Sequence, residues 1–286
     1  MRPANLVTAV ADVLAGIAIS GYFVQQDFSL HQLSPVILLS LATVGLYGGG
    51  VVFNDVFDAE LDRVERPERA IPRGIISVGE ASALGVALLL AGVLSALFVN
   101  ILCGMLAFSI AVMALVYDKW GKHQSLFGPL NMGVCRGLNL LLGMAVVSGR
   151  IDDLWYISFV PIVYIAAITM ISRGEVHGGT KSPLYFAAFL YLAVIAAVVY
   201  FSLSGQMMIM ALIILLLFAI MIFIPLTKAI QQPIGKNIGK AVKAGVIGLI
   251  LLNASWAMAF GSPLLALLII LLLPLSLSLA KWFAVT

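Results

Sequence analysis

The nine residues Asn54-Asp55-Val56-Phe57-Asp58-Ala59-Glu60-Leu61-Asp62 carry the densest chemistry in the chain, and Arg63, Arg66, Arg69 and Arg73 follow directly. Asp55, Asp58 and Asp62 are spaced by three and four, so in a helix they share one face. Three carboxylates on one stripe repel one another unless a cation sits among them. Hard oxygen ligands suit Mg²⁺, which commonly takes one or two carboxylates together with phosphate oxygens. The arginines just beyond are suited to grip the same phosphates bidentately. The plainer alternative is a solvated helix end of mixed charge. The chain has only 13 acidic residues among 286, and this cluster ends an apolar run, which favours a metal and phosphate site.

The elements that must position this cluster follow from composition. Hydrophobic residues make up 62% of the chain and charged residues 10%, against about 25% charged in a typical soluble domain. So few charges cannot cover a globule of this size, which excludes a soluble enzyme and a disordered chain. Apolar runs of spanning length occupy residues 4–24, 34–53, 81–99, 101–117, 126–148, 154–172, 183–203, 207–227, 241–260 and 263–283. All are expected to be helical, because lipid offers no partners for backbone groups outside helices and closed barrels, and the alternation of a barrel strand is absent. The fold predicted is all-α, a polytopic transmembrane bundle of nine or ten helices. The first run lacks a clear cleavage site and reads as the first helix. Cys103 and Cys135 both lie inside apolar runs, so no disulfide framework is expected.

With ten spans, 14 of the 16 basic residues fall on one side, Arg150 alone falls on the other, and Arg136 lies within a span. The positive-inside rule then puts both termini in the cytoplasm, in a multi-pass protein of the cell inner membrane. The net charge of +3 is small, and nothing indicates a nucleic-acid partner. Arg136 is costly in a span and is expected to face the bundle or a polar cavity. Asn131 and Asn139 lie on the same helix. The functional reading of Arg136 is a phosphate or acceptor contact, and the structural one is an interhelical clamp.

The pattern N-D-x-x-D-x-x-x-D over Asn54 to Asp62, followed by Arg69-Ala70-Ile71-Pro72-Arg73, resembles the first aspartate-rich motif of the UbiA superfamily of intramembrane prenyltransferases. The opening Arg2-Pro3-Ala4-Asn5 is similar to the start of that family's first helix. Tyr117, Lys119 and the Asn131–Arg136–Asn139 helix resemble its middle segment, and Gly179-Thr180-Lys181-Ser182 the stretch after its second acidic motif. The resemblance implies one integral-membrane prenyltransferase-like domain over 1–286. It implies Mg²⁺-dependent transfer of a prenyl group from a polyprenyl diphosphate to a hydrophobic or aromatic acceptor, at a cavity facing the cytoplasm and set within the lipid bilayer. Asp55, Asp58 and Asp62 would hold the metal. Asn5, Asn54, Arg63, Arg69, Arg73, Tyr117, Lys119, Asn131 and Arg136 would hold substrate.

The second cluster departs from the family pattern. Where two or more aspartates are usual, this chain has Arg173-Gly174-Glu175-Val176-His177-Gly178-Gly179-Thr180-Lys181. Glu175 is its one carboxylate and the expected second catalytic and metal-binding group, with Arg173, His177 and Lys181 as substrate contacts. This form is similar to the branch called EboC. One Glu and one His are too few for a zinc site. The reduced motif leaves a second function open: a UbiA-like protein that binds or moves a lipid or small metabolite without transferring it.

Overall fold

The computed structural model describes residues 3–24, 30–124, 127–176 and 178–282. Among them the chain forms twelve α-helices and three short 3-10 turns, with no strand. Ten of the helices correspond one to one with the ten apolar runs. These are α1 (Pro3–Ile19), α2 (Leu33–Phe57), α4 (Val78–Leu97), α5 (Ile101–Lys119), α6 (Phe127–Met144), α8 (Phe159–Ser172), α9 (Lys181–Ser202), α10 (Met208–Gln231), α11 (Gly235–Ala259) and α12 (Pro263–Trp282). The two short ones are α3 (Ala59–Glu65) and α7 (Ser148–Leu154). Eight described helical segments are long and apolar enough to cross a bilayer, while α1 is a shorter apolar helix. α6 interrupts its apolar character with Asn131, Arg136 and Asn139.

Large apolar side chains point outward along the outer helices, for instance Leu216 and Leu217 on α10 and Leu267 and Leu271 on α12. In water such a surface would aggregate; in hydrocarbon it is the solvated face. The chain is a multi-pass membrane protein. α11 is the exception, with 83% of its apolar window buried against 28–44% for the other spans. It is therefore an inner helix of the bundle, packed among α1, α8, α9, α10 and α12.

Local signals begin and end several elements. Ser77 caps α4 in a reciprocal capping box with Glu80. Asn100 caps α5 through the Cys103 amide, and its side-chain amide also donates to the Ala145 carbonyl just beyond α6. α1 and α6 cross at Gly16 and Gly143. A Cβ on Gly143 would stand 2.1 Å from the Val13 carbonyl oxygen, so only glycine allows the approach. That close crossing brings the polar residues of α1 and α6 within hydrogen-bonding distance.

The acidic stripe is not on one continuous helix, as its spacing predicts. α2 ends at Phe57 and α3 starts at Ala59, with Asp58 at the junction. The backbone bonds from Asp58 N–H to Asn54 and from Asp62 N–H to Asp58 nevertheless run across the break. The three carboxylates therefore keep roughly helical spacing while Asp58 is freed from regular helix geometry.

Candidate active site

Four carboxylates gather where α2, α3 and α5 end. Arg69, from the loop after α3, donates from one nitrogen to Asp55 at 2.9 Å and to Asp62 at 2.6 Å. Lys122, in the turn after α5, pairs with Asp58. Asn54 donates its side-chain amide to Asp118 Oδ1 at 3.0 Å. Each acid thus has a charged or amide partner brought from another part of the chain. These partners answer the repulsion that the bare stripe would carry, and charge-assisted bonds of this kind are the stronger ones.

Beneath this ring lies a cavity of about 470 Å³. Asn54, Asp55, Asp58, Arg66, Arg69, Tyr117 and Asp118 surround its mouth, and Thr43, Ala9 and Asn139 mark its inner end. Thr43 and Asn54 lie about 16 Å apart along α2 at 1.5 Å per residue, so the hollow reaches well into the bilayer. Its two sides differ in chemistry. Ile110 and Ala114 of α5, Ile165 and Ile168 of α8, and Val246 and Leu249 of α11 form an apolar wall. Facing them are Asn5, Arg136 and Asn139 from α1 and α6.

The polar wall is a continuous network. Arg136 donates to Asp12 at 2.7 Å and to Thr8 at 2.9 Å, and Asn253 of α11 donates to the other oxygen of Asp12 at 2.7 Å. Asn139 donates to the Ala9 carbonyl and accepts from Thr43, both at 2.8 Å. α1, α2, α6 and α11 are joined by these bonds, which supply the partners that buried polar groups need in lipid.

The predicted site residues divide into two groups. Asn5, Asn54, Asp55, Asp58, Arg69, Tyr117 and Arg136 come together on the cavity. Asp62 is 4% exposed and stands behind Arg69 rather than on the cavity wall. The rest lie elsewhere. Arg63 pairs with Glu60 on the surface. Arg73 is exposed. Lys119 is exposed and rests over the Trp120 ring, 4.7 Å from its centroid. Asn131 is buried in α6, with its side-chain oxygen 3.7 Å from the Cys135 sulfur.

The second acidic segment is also drawn away. The Glu175 side chain packs on Gly239 of α11, so that a Cβ on that glycine would meet Oε1 at 3.0 Å. The loop is held there by the bond from Gly179 N–H to the Pro233 carbonyl, and Gly178 takes φ +80°, a left-handed conformation that favours glycine. Arg173 and Lys181 are exposed, and none of these three residues lines the cavity. His177 lies outside the described residues.

The sequence pattern does not single out Asp118 and Lys122, which the structure brings to the mouth. Both follow Tyr117 closely, but the hydropathy of the run gives no reason to prefer Lys122 over Lys119. The turn after α5 decides it, by bringing the later lysine back over the mouth. Asp12 and Asn253, which offer no local pattern, turn out to be partners.

Asn54, Asp55, Asp58 and Asp118 present hard oxygen donors to one hollow, which is the chemistry Mg²⁺ takes. Among the described residues, no three His, Cys, Asp or Glu side chains converge into a ready cage. The set therefore fits an ion that draws its remaining ligands from phosphate and water.

Residues 13–243 match the model of the UbiA prenyltransferase family. The digeranylgeranylglyceryl phosphate synthase of Methanothrix thermoacetophila is 38% identical over 148 residues, covering 52% of this chain and 53% of that protein. The enzyme of the same name from Saccharolobus solfataricus is 34% identical over 157 residues, 54% of each. The chain thus spans about half the length of these curated relatives. Two solved structures share the fold. The apo UbiA homolog from Aeropyrum pernix K1 superposes with a TM-score of 0.69 at 18% identity, over 89% of this chain and 98% of that one. The Archaeoglobus fulgidus homolog bound to DMAPP and Mg²⁺ gives 0.59 at 14%, over 87% and 99%.

Proposed function

Because this chain belongs to the UbiA prenyltransferase family, we propose that it transfers a prenyl group from a polyprenyl diphosphate to an acceptor inside the membrane, with Mg²⁺ at the cavity mouth. The observation that carries this reading is the joining of a polar, carboxylate-lined mouth to a deep cavity with one apolar wall. A diphosphate headgroup and an isoprenoid tail need those two environments side by side.

Asn54, Asp55, Asp58 and Asp118 are the residues that would hold the metal, and when bound it would neutralise the charge that develops on the departing diphosphate. Arg69 and Lys122 are placed to meet diphosphate oxygens as they exchange their carboxylate partners for phosphate. Asp118 holds the Asn54 amide by its NH₂ end, which leaves the amide oxygen as the end able to accept from water or face a cation. The apolar wall excludes water that would quench an allylic cation. In the transfer, the bond from the prenyl C1 to the diphosphate oxygen breaks, a bond from C1 to the acceptor forms, and the acceptor loses a proton.

The narrower placement in the EboC-like branch rests on the Arg173-Gly174-Glu175-Val176-His177-Gly178-Gly179 form of the second motif alone. The cytoplasmic location of both termini and of the mouth rests on the basic residues clustered at that end of the bundle. The curated relatives' name suggests a lipid-like acceptor for them; for this chain the reading extends only to an acceptor within reach of the prenyl C1.

Purified protein given labelled geranylgeranyl diphosphate and membrane extract is expected to form a labelled lipid product with Mg²⁺ and none with EDTA. Equal product under both conditions would refute the metal requirement, and absence of any product or diphosphate binding would refute the enzyme. The lysines separate in the same assay. A hydrogen bond to a charged group contributes about 1.5–3 kcal/mol, so Lys122→Met should weaken diphosphate binding about tenfold or more. Lys119→Met should change it by less than about twofold, as expected for an exposed charge. The reverse order would return the role to Lys119.

A further inference from the structure

The inner half of the cavity is polar on one side yet carries no net charge. Arg136 lines it, and its guanidinium donates from Nη1 to Asp12 and from Nη2 to Thr8 and to the Asn5 carbonyl. A guanidinium carries five N–H groups. Among the described residues these bonds account for three, so Nε–H and one Nη1–H remain for a ligand. The counter-charge is already in place. Asp12 is 1% exposed and has both oxygens engaged, one by Arg136 and one by Asn253. The other charged residues on the cavity wall, Asp55, Asp58, Arg66, Arg69 and Asp118, all belong to the mouth.

We propose that the acceptor seated in this inner chamber is an uncharged molecule bearing hydroxyl groups, a polyol or a phenol, with an oxygen placed against Arg136, rather than a carboxylate or a phosphate. The proposal rests on the prenyl-transfer reading and specifies its second substrate. A carboxylate moved beside Arg136 would meet a cation whose charge Asp12 has already neutralised at 2.7 Å. The desolvation of that anion would go uncompensated. A purely apolar acceptor would leave the remaining N–H groups of Arg136 buried without partners. A hydroxyl oxygen accepts from them and introduces no charge. The opposite wall, with Ile165, Ile168 and Leu249, is left to the prenyl chain.

The test compares matched probes on the full chain in detergent, with Mg²⁺ and geranylgeranyl thiolodiphosphate, measured by isothermal titration. The pairs are hydroquinone against 4-hydroxybenzoate and glycerol against glycerol 1-phosphate. The neutral member of each pair is expected to bind at least about tenfold more tightly. Asp12→Asn, which leaves Arg136 with an unbalanced charge, is expected to move that ratio about tenfold or more toward the anion. If that variant does not fold, the charge-free pair Asp12→Asn with Arg136→Gln serves instead. It should keep the preference for neutral probes but bind them more weakly, and unchanged affinity would overturn the Arg136 contact. Equal or tighter binding of the anionic probes to the wild-type chain, or binding of neither member, while thiolodiphosphate still binds, would overturn the acceptor assignment alone. Failure of thiolodiphosphate to bind would overturn the prenyl-transfer reading and this inference with it.

Discussion

Asp58→Asn is expected to reduce prenyl transfer by at least about 10²-fold, on the scale of removing one electrostatic stabiliser from an active site. Asp58 sits at the break between α2 and α3, on the cavity, with Lys122 as its partner. The substitution is nearly isosteric, so the helix junction should persist. It removes one hard anionic donor from the mouth and also the counter-charge that aims Lys122. Asp55→Asn should act in the same direction. Asp55 keeps more contact with solvent, with 43% of its side chain exposed, so its loss should have the smaller effect on stability. The measurement is the initial rate of product formation across a range of Mg²⁺ concentrations, alongside Mg²⁺ binding followed separately. Wild-type rates in both variants, with wild-type Mg²⁺ affinity, would remove the metal from the mouth.

Arg69→Met is expected to damage folding and binding together, and the two can be separated. Arg69 is the shared partner of Asp55 and Asp62, and the Asp62 side chain is only 6% exposed. Leaving a buried carboxylate without its cation typically costs about 3–5 kcal/mol. The more exposed Asp55 adds less. A clear fall in melting temperature in detergent should follow. Adding Asp62→Asn removes the stranded charge and should restore most of that stability. It should not restore diphosphate affinity, because the guanidinium that meets phosphate is still missing. Recovery of both would mean that Arg69 serves the fold alone; recovery of neither would mean that Asp62 is not the group it compensates. Arg69→Lys is expected to keep most of the stability but to fall short of wild type in diphosphate affinity, since one nitrogen already serves both carboxylates while an ammonium lacks the planar fork that grips phosphate bidentately.

The described residues of the second acidic segment lie off the cavity wall. Glu175 lies against Gly239 of α11, and the segment is tied to the turn before α11 through Gly179 and Pro233. The carboxylate that joins the first motif on the cavity is instead Asp118, at the end of α5, in direct contact with Asn54. Acid at the mouth thus comes from α2, its junction with α3 and the neighbouring α5 rather than from the distant loop.

What could be read from the sequence alone was what depends on near neighbours or on sums over a window. Hydropathy averages over about 20 residues, so the ten apolar runs and the ten helices that match them agree to within a few residues at most ends. The stripe Asp55–Asp58–Asp62 was legible because helical spacing is a local rule that survives the break at Asp58. Arg69 was within the same stretch. The tertiary structure alone decided the rest, because the partners are far apart along the chain. Arg136 finds Asp12 across 124 positions and Asn253 finds Asp12 across 241. Asn54 finds Asp118 across 64. No spacing rule links such residues. Their meeting depends on how closely α1 and α6 cross at Gly16 and Gly143 and on which way the turn after α5 folds back. Burial then makes each meeting obligatory, since a charge or amide left alone in lipid would be too costly to keep.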